Sequence, residues 1–181
     1  MHFLLSQFWF GPTLITPISS LDPPLEGTLK INIDGSFLED FGCLCARGVV
    51  RNHDGDWIAG FSHYGAGADA LLVELRAIQI GFDFCNLKGY VNIICESDCL
   101  EIVDLIIDGR DHTLHTYATD ILHIRDALHG NGNTTLEHVF REQNIGVDFM
   151  AKEASHARCS TRWNCPPPSM ESLILRNKLG T

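Results

Sequence analysis

The chain has 181 residues, of which 45% are hydrophobic and 20% charged, a balance typical of a soluble globular protein with one domain and tails. Its 13 Lys and Arg against 23 Asp and Glu give a net charge of −10, the wrong sign for holding nucleic acid mainly by electrostatic attraction. The seven cysteines include no Cys-x-x-Cys pair, and their odd number disfavours a disulfide framework. We therefore expect free thiols in an intracellular, reducing compartment, either nucleus or cytoplasm.

Residues 1–27 form the first segment, and they show no sustained hydrophobic periodicity. Four of them are proline, and the first basic residue of the chain is Lys30, so the basic start of a secretory signal is missing. Apolar patches in this segment are too short to cross a membrane. We interpret residues 1–27 as an irregular extension and linker.

Five strands and four helices are predicted in the remainder. Alternation of apolar and polar residues, bounded by turn residues, predicts strands at 29–34, 45–51, 57–61, 90–96 and 135–140. Helical periodicity and capping residues predict helices at 68–84, 100–107, 117–128 and 144–154. The order β-β-β-α-β-α-α-β-α predicts a mixed α/β domain at residues 28–155, followed by a C-terminal tail at 156–181.

Four acidic residues fall where a carboxylate is not the natural choice. Asp34 and Asp98 each end a predicted strand, Glu74 lies beside the apolar stripe of the first long helix, and Asp148 lies near the start of the last helix. Two of them have an ordinary explanation: an Asp before Gly, such as Asp34, is usually a turn residue, and Glu74 could pair locally with Arg76. Their recurrence in all four places favours a shared acidic site.

Convergence of these four carboxylates would require a cation. Like charges at close range repel one another and raise pKa values unless a divalent ion offsets them. Oxygen ligands select Mg²⁺ or Mn²⁺, and two such ions about 3.5–4 Å apart support phosphodiester hydrolysis. The pattern therefore indicates metal-assisted cleavage of nucleic acid.

Five motifs carry a family resemblance because they occur in order and at suitable spacing. They are KINIDGS at 30–36, GVVRNHDGDW at 48–57, ELRAI at 74–78, ESDC at 96–99 and HVFREQN at 138–144, followed by Asp148. The sequence resembles the ribonuclease H-like domains of plants, which are akin to the RNase H region of non-LTR retrotransposon polyproteins. Trp163 and the proline run after it also look like a C-terminal extension common in that group.

The resemblance implies a ribonuclease H-like fold, with a five-stranded mixed sheet in the order 3-2-1-4-5 and helices on both faces. It implies an endonuclease that cleaves the RNA strand of RNA–DNA hybrids with two Mg²⁺ or Mn²⁺ ions. The catalytic residues and metal ligands would be Asp34, Glu74, Asp98 and Asp148. Weaker candidates for substrate binding are Asn32, Gly35, Ser36, Arg141 and Asn144. We expect a monomer with no membrane partner.

Two departures from the family pattern leave an alternative open. The link before the last predicted helix, residues 141–143, contains no His, which leaves Arg141 as a candidate substitute. Arg47 is unexpected within an apolar strand. The alternative is a catalytically weak or inactive nucleic-acid- or protein-binding module derived from a retroelement. A more remote alternative is an exonuclease of the same fold.

Overall fold

The computed structural model describes residues 24–130, 133–141 and 159–168. These residues form six strands, three α-helices and a 3₁₀ turn at Glu39–Phe41. In chain order the elements are β1 (Leu29–Leu38), β2 (Cys43–Arg51), β3 (Trp57–Ala66), α1 (Ala70–Lys88), β4 (Ile93–Ser97), α2 (Leu100–Ile107), α3 (Ala118–Gly130), β5 (Thr134–His138) and β6 (Thr161–Trp163).

One mixed sheet contains all six strands, in the order β5-β4-β1-β2-β3-β6. The antiparallel meander β1-β2-β3 forms one half, whereas β4 and β5 join β1 in parallel. Helices supply the parallel crossovers, as parallel pairing requires. The predicted order 3-2-1-4-5 is confirmed.

The strand β1 is longer than predicted, and the prediction that it ends at Asp34 is wrong. It continues to Leu38 because Gly35–Leu38 pair with Ala46–Cys43 in a long hairpin with β2. The parallel pairing with β4 stops earlier, at Ile33 opposite Ser97. Asp34 therefore lies inside a strand, one residue past the end of the parallel ladder.

The apolar core lies on one face of the sheet. Ile31 and Ile33 of β1 join buried residues of all three helices in a single hydrophobic cluster. Gly81 lets α1 lie close against β1, since a Cβ there would stand 2.1 Å from the Ile33 side chain. The helix predicted at 144–154 lies outside the described residues.

The opposite face of the sheet carries polar residues that are nonetheless buried. Glu96 of β4 accepts hydrogen bonds from Lys30 Nζ at 2.8 Å and from Asn32 Nδ2 at 2.7 Å. Arg51 in turn donates to the Asn32 side-chain oxygen. This network satisfies the buried carboxylate and cross-links β1, β2 and β4, because an unpaired buried charge would be costly.

The segment around Trp163, predicted as part of an irregular tail, instead supplies a sixth strand. β6 pairs antiparallel with β3, with Trp163 opposite Gly60. Next to it, the Tyr64 amide donates to Ser160 Oγ at 3.1 Å, and Lys88 Nζ donates to Asn164 Oδ1 at 2.7 Å. β6 covers the edge of β3 at Gly60–Ser62, whose backbone groups would otherwise be exposed. None of the helices in residues 24–130, 133–141 and 159–168 has the length and apolarity needed to cross a bilayer.

Candidate active site

Two of the predicted acidic residues lie side by side because of strand register. Ile33 of β1 pairs with Ser97 of β4, and the two strands run parallel. The residues that follow this last pair, Asp34 and Asp98, therefore leave the ladder together at the same edge. The sequence predicts both residues at strand ends: Asp98 follows β4, whereas Asp34 lies inside β1.

Glu74 reaches the same edge from α1. The helix begins after Asp69, whose carboxylate accepts a hydrogen bond from the Leu72 amide at 2.9 Å as an N-cap. Gly35 makes the approach possible, since a Cβ at this position would stand 3.0 Å from the Val73 carbonyl oxygen. The Gly35 amide also donates a hydrogen bond to the Glu74 carboxylate.

The negative charges of Asp34 and Asp98 both act on the Glu74 carboxylate. Burial, followed by the negative charges of Asp34 and Asp98, raises the pKa of Glu74 from its ordinary 4.5 to about 8. The Gly35 hydrogen bond and the positive charge of Arg141 act the other way. Without a cation, Glu74 is therefore protonated at neutral pH.

Arg47 is the site residue whose role sequence reasoning missed. It lies on β2 directly opposite Asp34, and its side chain is 3% exposed. One guanidinium nitrogen donates to Asp34 Oδ2 at 2.7 Å and the other donates to Ser36 Oγ at 2.9 Å. The available signal was an arginine within the apolar run of β2, which required an acidic partner on a neighbouring strand.

The donor chemistry fits a hard divalent cation, because the groups near one another here are the carboxylates of Asp34, Glu74 and Asp98. The fit is incomplete as the side chains stand. In residues 24–130, 133–141 and 159–168, no three His, Cys, Asp or Glu side chains are gathered closely enough to hold a metal ion. Asp34 is instead bonded to Arg47.

The structure places the other predicted site residues, most of them candidates for substrate binding, in different surroundings. Ser36 accepts the bond from Arg47, and Gly35 holds Glu74. Asn32 is buried between Glu96 and Arg51, which assigns its amide to the internal network. Arg141 is exposed and close enough to Glu74 to lower its pKa. Asp148 and Asn144 lie outside the described residues.

The sheet order, with an antiparallel β1-β2-β3 meander continued by parallel β4 and β5 and helices packed on the sheet, defines a ribonuclease H-like fold. Solved structures agree with this class. RNase H1 from the archaeon Halobacterium salinarum superposes with a TM-score of 0.62 at 20% identity, covering 72% of this chain and 98% of that one. LC11-RNase H1, isolated from compost by a metagenomic approach, gives 0.64 at 17% identity over 72% of this chain and 98% of that one.

The chain belongs to the reverse transcriptase-like family, whose model matches residues 32–154. A relative from Arabidopsis thaliana, provisionally named a ribonuclease H protein, is 27% identical over 159 residues. That match covers 87% of this chain but 26% of the relative, so the chain spans about a quarter of the relative's length. LC11-RNase H1 has also been solved in complex with an RNA/DNA hybrid, and that structure superposes with a TM-score of 0.59 at 17% identity over 67% of this chain and 91% of its own.

Proposed function

We propose that this chain is a ribonuclease H-type endonuclease that hydrolyses the RNA strand of RNA–DNA hybrids with Mg²⁺ or Mn²⁺. The observation that supports the proposal is that Asp34 and Asp98 follow the last pair of the β1–β4 ladder, and that the negative charges of both act on the Glu74 carboxylate of α1. Family membership supports it, as does the hybrid bound by the structurally similar LC11-RNase H1.

In this proposal Asp34, Glu74 and Asp98, with Asp148 from the sequence prediction, would hold the cations. Bound divalent ions supply charge neutralisation at the scissile phosphate and a more acidic water. The chain's own groups prepare the site. The Gly35 amide orients the Glu74 carboxylate, and the exposed Arg141 offers a positive charge to a phosphate close by.

The test is a cleavage assay on a labelled RNA–DNA hybrid with Mg²⁺ at low salt. Asp98→Asn and Glu74→Gln should each lower the cleavage rate by at least about a hundredfold, the scale seen when transition-state charge stabilisation is removed. The matched control is Asp104→Asn, which removes a carboxylate from the exposed surface of α2. Its rate should equal that of the original chain.

Cleavage by the original chain that does not exceed that of Asp98→Asn would contradict the proposal. Full activity in Glu74→Gln would remove Glu74 from the site while leaving the other residues in it.

A second candidate function is a hybrid-binding module without cleavage. The observation that favours it is the Arg47–Asp34 ion pair, which occupies one of the predicted metal ligands. Hybrid binding measured by fluorescence anisotropy, together with no RNA cleavage in either Mg²⁺ or Mn²⁺, would favour this candidate over the nuclease.

A further inference from the structure

Arg47 stands in the middle of the sheet with its charge directed at Asp34. It pairs in register with Asp34 on one side and with Ser62 of β3 on the other. The Arg47 side chain is 3% exposed and that of Asp34 is 15% exposed, so water screens this ion pair little. A planar guanidinium that bonds both Asp34 and Ser36 is held in a defined orientation.

This ion pair and a divalent cation would draw on the same carboxylate. A cation bound at Asp34 would lie close to the positive guanidinium, because the ion pair is only 2.7 Å long. Like charges at such a distance repel in a poorly hydrated site. Cation binding therefore requires the guanidinium to release Asp34 or to share it at an energetic cost.

A polar group on β3 offers the Arg47 guanidinium an alternative hydrogen-bond partner. Among the residues that the structure describes, Arg47 Nε and Ser62 Oγ are buried polar atoms with no hydrogen-bond partner. Ser62 is the cross-strand neighbour of Arg47 and is 3% exposed. Buried polar atoms normally have hydrogen-bond partners. Two unpartnered atoms at cross-strand positions therefore indicate a second orientation of the Arg47 side chain, in which it donates to Ser62 Oγ.

We propose that Arg47 is an internal counter-ion that competes with the divalent cation for Asp34 and so sets the cation concentration at which the site fills. The guanidinium holds Asp34 in the cation-free chain and turns toward Ser62 when a cation binds. This inference rests on the proposed function, since it presumes that Asp34 is a cation ligand.

The experiment is a Mn²⁺ titration of the full chain, followed by the electron paramagnetic resonance signal of free Mn²⁺. Arg47→Met, which keeps the length and apolar stem but removes the charge, should bind Mn²⁺ about tenfold more tightly than the original chain. The matched control Arg76→Met removes the same charge from an exposed position on α1, and its affinity should stay within about twofold.

A milder variant covers the case in which Arg47→Met does not fold. Ser36→Ala leaves the charge in place and removes one of its two bonds, so Mn²⁺ affinity should rise about two- to threefold. Circular dichroism establishes which variants are folded.

The outcomes separate the two claims. Equal Mn²⁺ affinity in folded Arg47 or Ser36 variants and the original chain would overturn the role of Arg47 and leave the metal site standing. Weaker affinity would also overturn it, because Arg47 would then be orienting Asp34 for the cation. Absence of Mn²⁺ binding in every folded variant would overturn both the counter-ion role and the metal site.

Discussion

Gly35 does two things at the level of a single residue. Because it has no side chain, the Val73 carbonyl can pack close to its backbone, and its amide donates a hydrogen bond to the Glu74 carboxylate. Gly35→Ala would place a Cβ 3.0 Å from a backbone oxygen, which cannot move without shifting α1. We expect a loss of about 1–3 kcal/mol in the free energy of unfolding, measured by urea denaturation, as for other overpacked positions.

The control for this substitution is Gly130→Ala at the end of α3. A Cβ at Gly130 meets nothing within 4 Å, and the residue is helical. Alanine there should leave stability unchanged or raise it by up to about 1 kcal/mol. Equal effects at positions 35 and 130 would contradict the close approach of α1 to β1.

Glu74 should make the metal-free chain lose stability as pH rises. Its pKa in the folded chain is about 8, above the ordinary 4.5, so its contribution is complete below about pH 4.5 and is lost as pH rises through 8. In EDTA, the melting temperature of the original chain should therefore fall between pH 5 and pH 8, as followed by circular dichroism.

Glu74→Gln serves as the comparison because it cannot ionise. At pH 8 in EDTA it should melt roughly 10 °C above the original chain, because the shift of the Glu74 pKa corresponds to about 4–5 kcal/mol and each kcal/mol changes the melting temperature by about 2–4 °C. At pH 5 the two should melt close together. A constant difference across this pH range would show that the titration of Glu74 does not govern stability.

At the scale of elements, Arg125 of α3 stabilises the C-terminal end of α2 by hydrogen bonds. Its guanidinium donates to the carbonyl oxygens of Ile106 at 2.8 Å, Leu105 at 3.0 Å and Arg110 at 2.8 Å. The last carbonyls of a helix lack partners within the helix, so these bonds complete α2. Arg125→Ala should lower the free energy of unfolding by about 1.5–3 kcal/mol, measured by urea denaturation.

Arg110→Ala is the matched control for Arg125. The Arg110 side chain is 77% exposed and pairs with Asp108, which Arg125 also contacts. Exposed ion pairs contribute little, so this variant should lose less than about 1 kcal/mol. A loss as large as that of Arg125→Ala would assign the effect to Asp108 rather than to the helix end.

Element types were predictable from the sequence, whereas several element ends were not. Alternation in residues 29–33 and the stripe along α1 are strong local patterns, and the type of both elements is confirmed. The Asp-Gly-Ser sequence has the composition of a turn, yet pairing with β2 carries β1 through it. β6 has three residues and exists because β3 offers an edge, which no local pattern reveals.

At the scale of the whole molecule, the site depends on contacts between distant parts of the chain. The proximity of Asp34 and Asp98 was predictable because each stands out locally and follows a strand of a parallel pair, whereas a shared metal site stays a prediction. The ion pair of Asp34 with Arg47 was not predictable from the sequence, since it depends on the register of β1 against β2. The predicted contribution of Asp148 stays a prediction.

The net charge of −10 bears on how the whole chain would meet a nucleic acid. Phosphate contacts by basic side chains give binding that weakens as salt rises. With few basic residues to offer, hybrid binding should be modest and should fall steeply between 50 and 200 mM salt. Assays of function therefore belong at low ionic strength.

The most direct test of the central claim is strand-resolved cleavage of an RNA–DNA hybrid at low salt. The RNA and DNA strands carry different labels, and matched RNA and DNA duplexes are run beside them. We predict Mg²⁺-dependent internal cuts in the RNA strand of the hybrid alone, abolished by EDTA. An intact RNA strand in both Mg²⁺ and Mn²⁺, or equal cleavage of the DNA strand, would contradict the account.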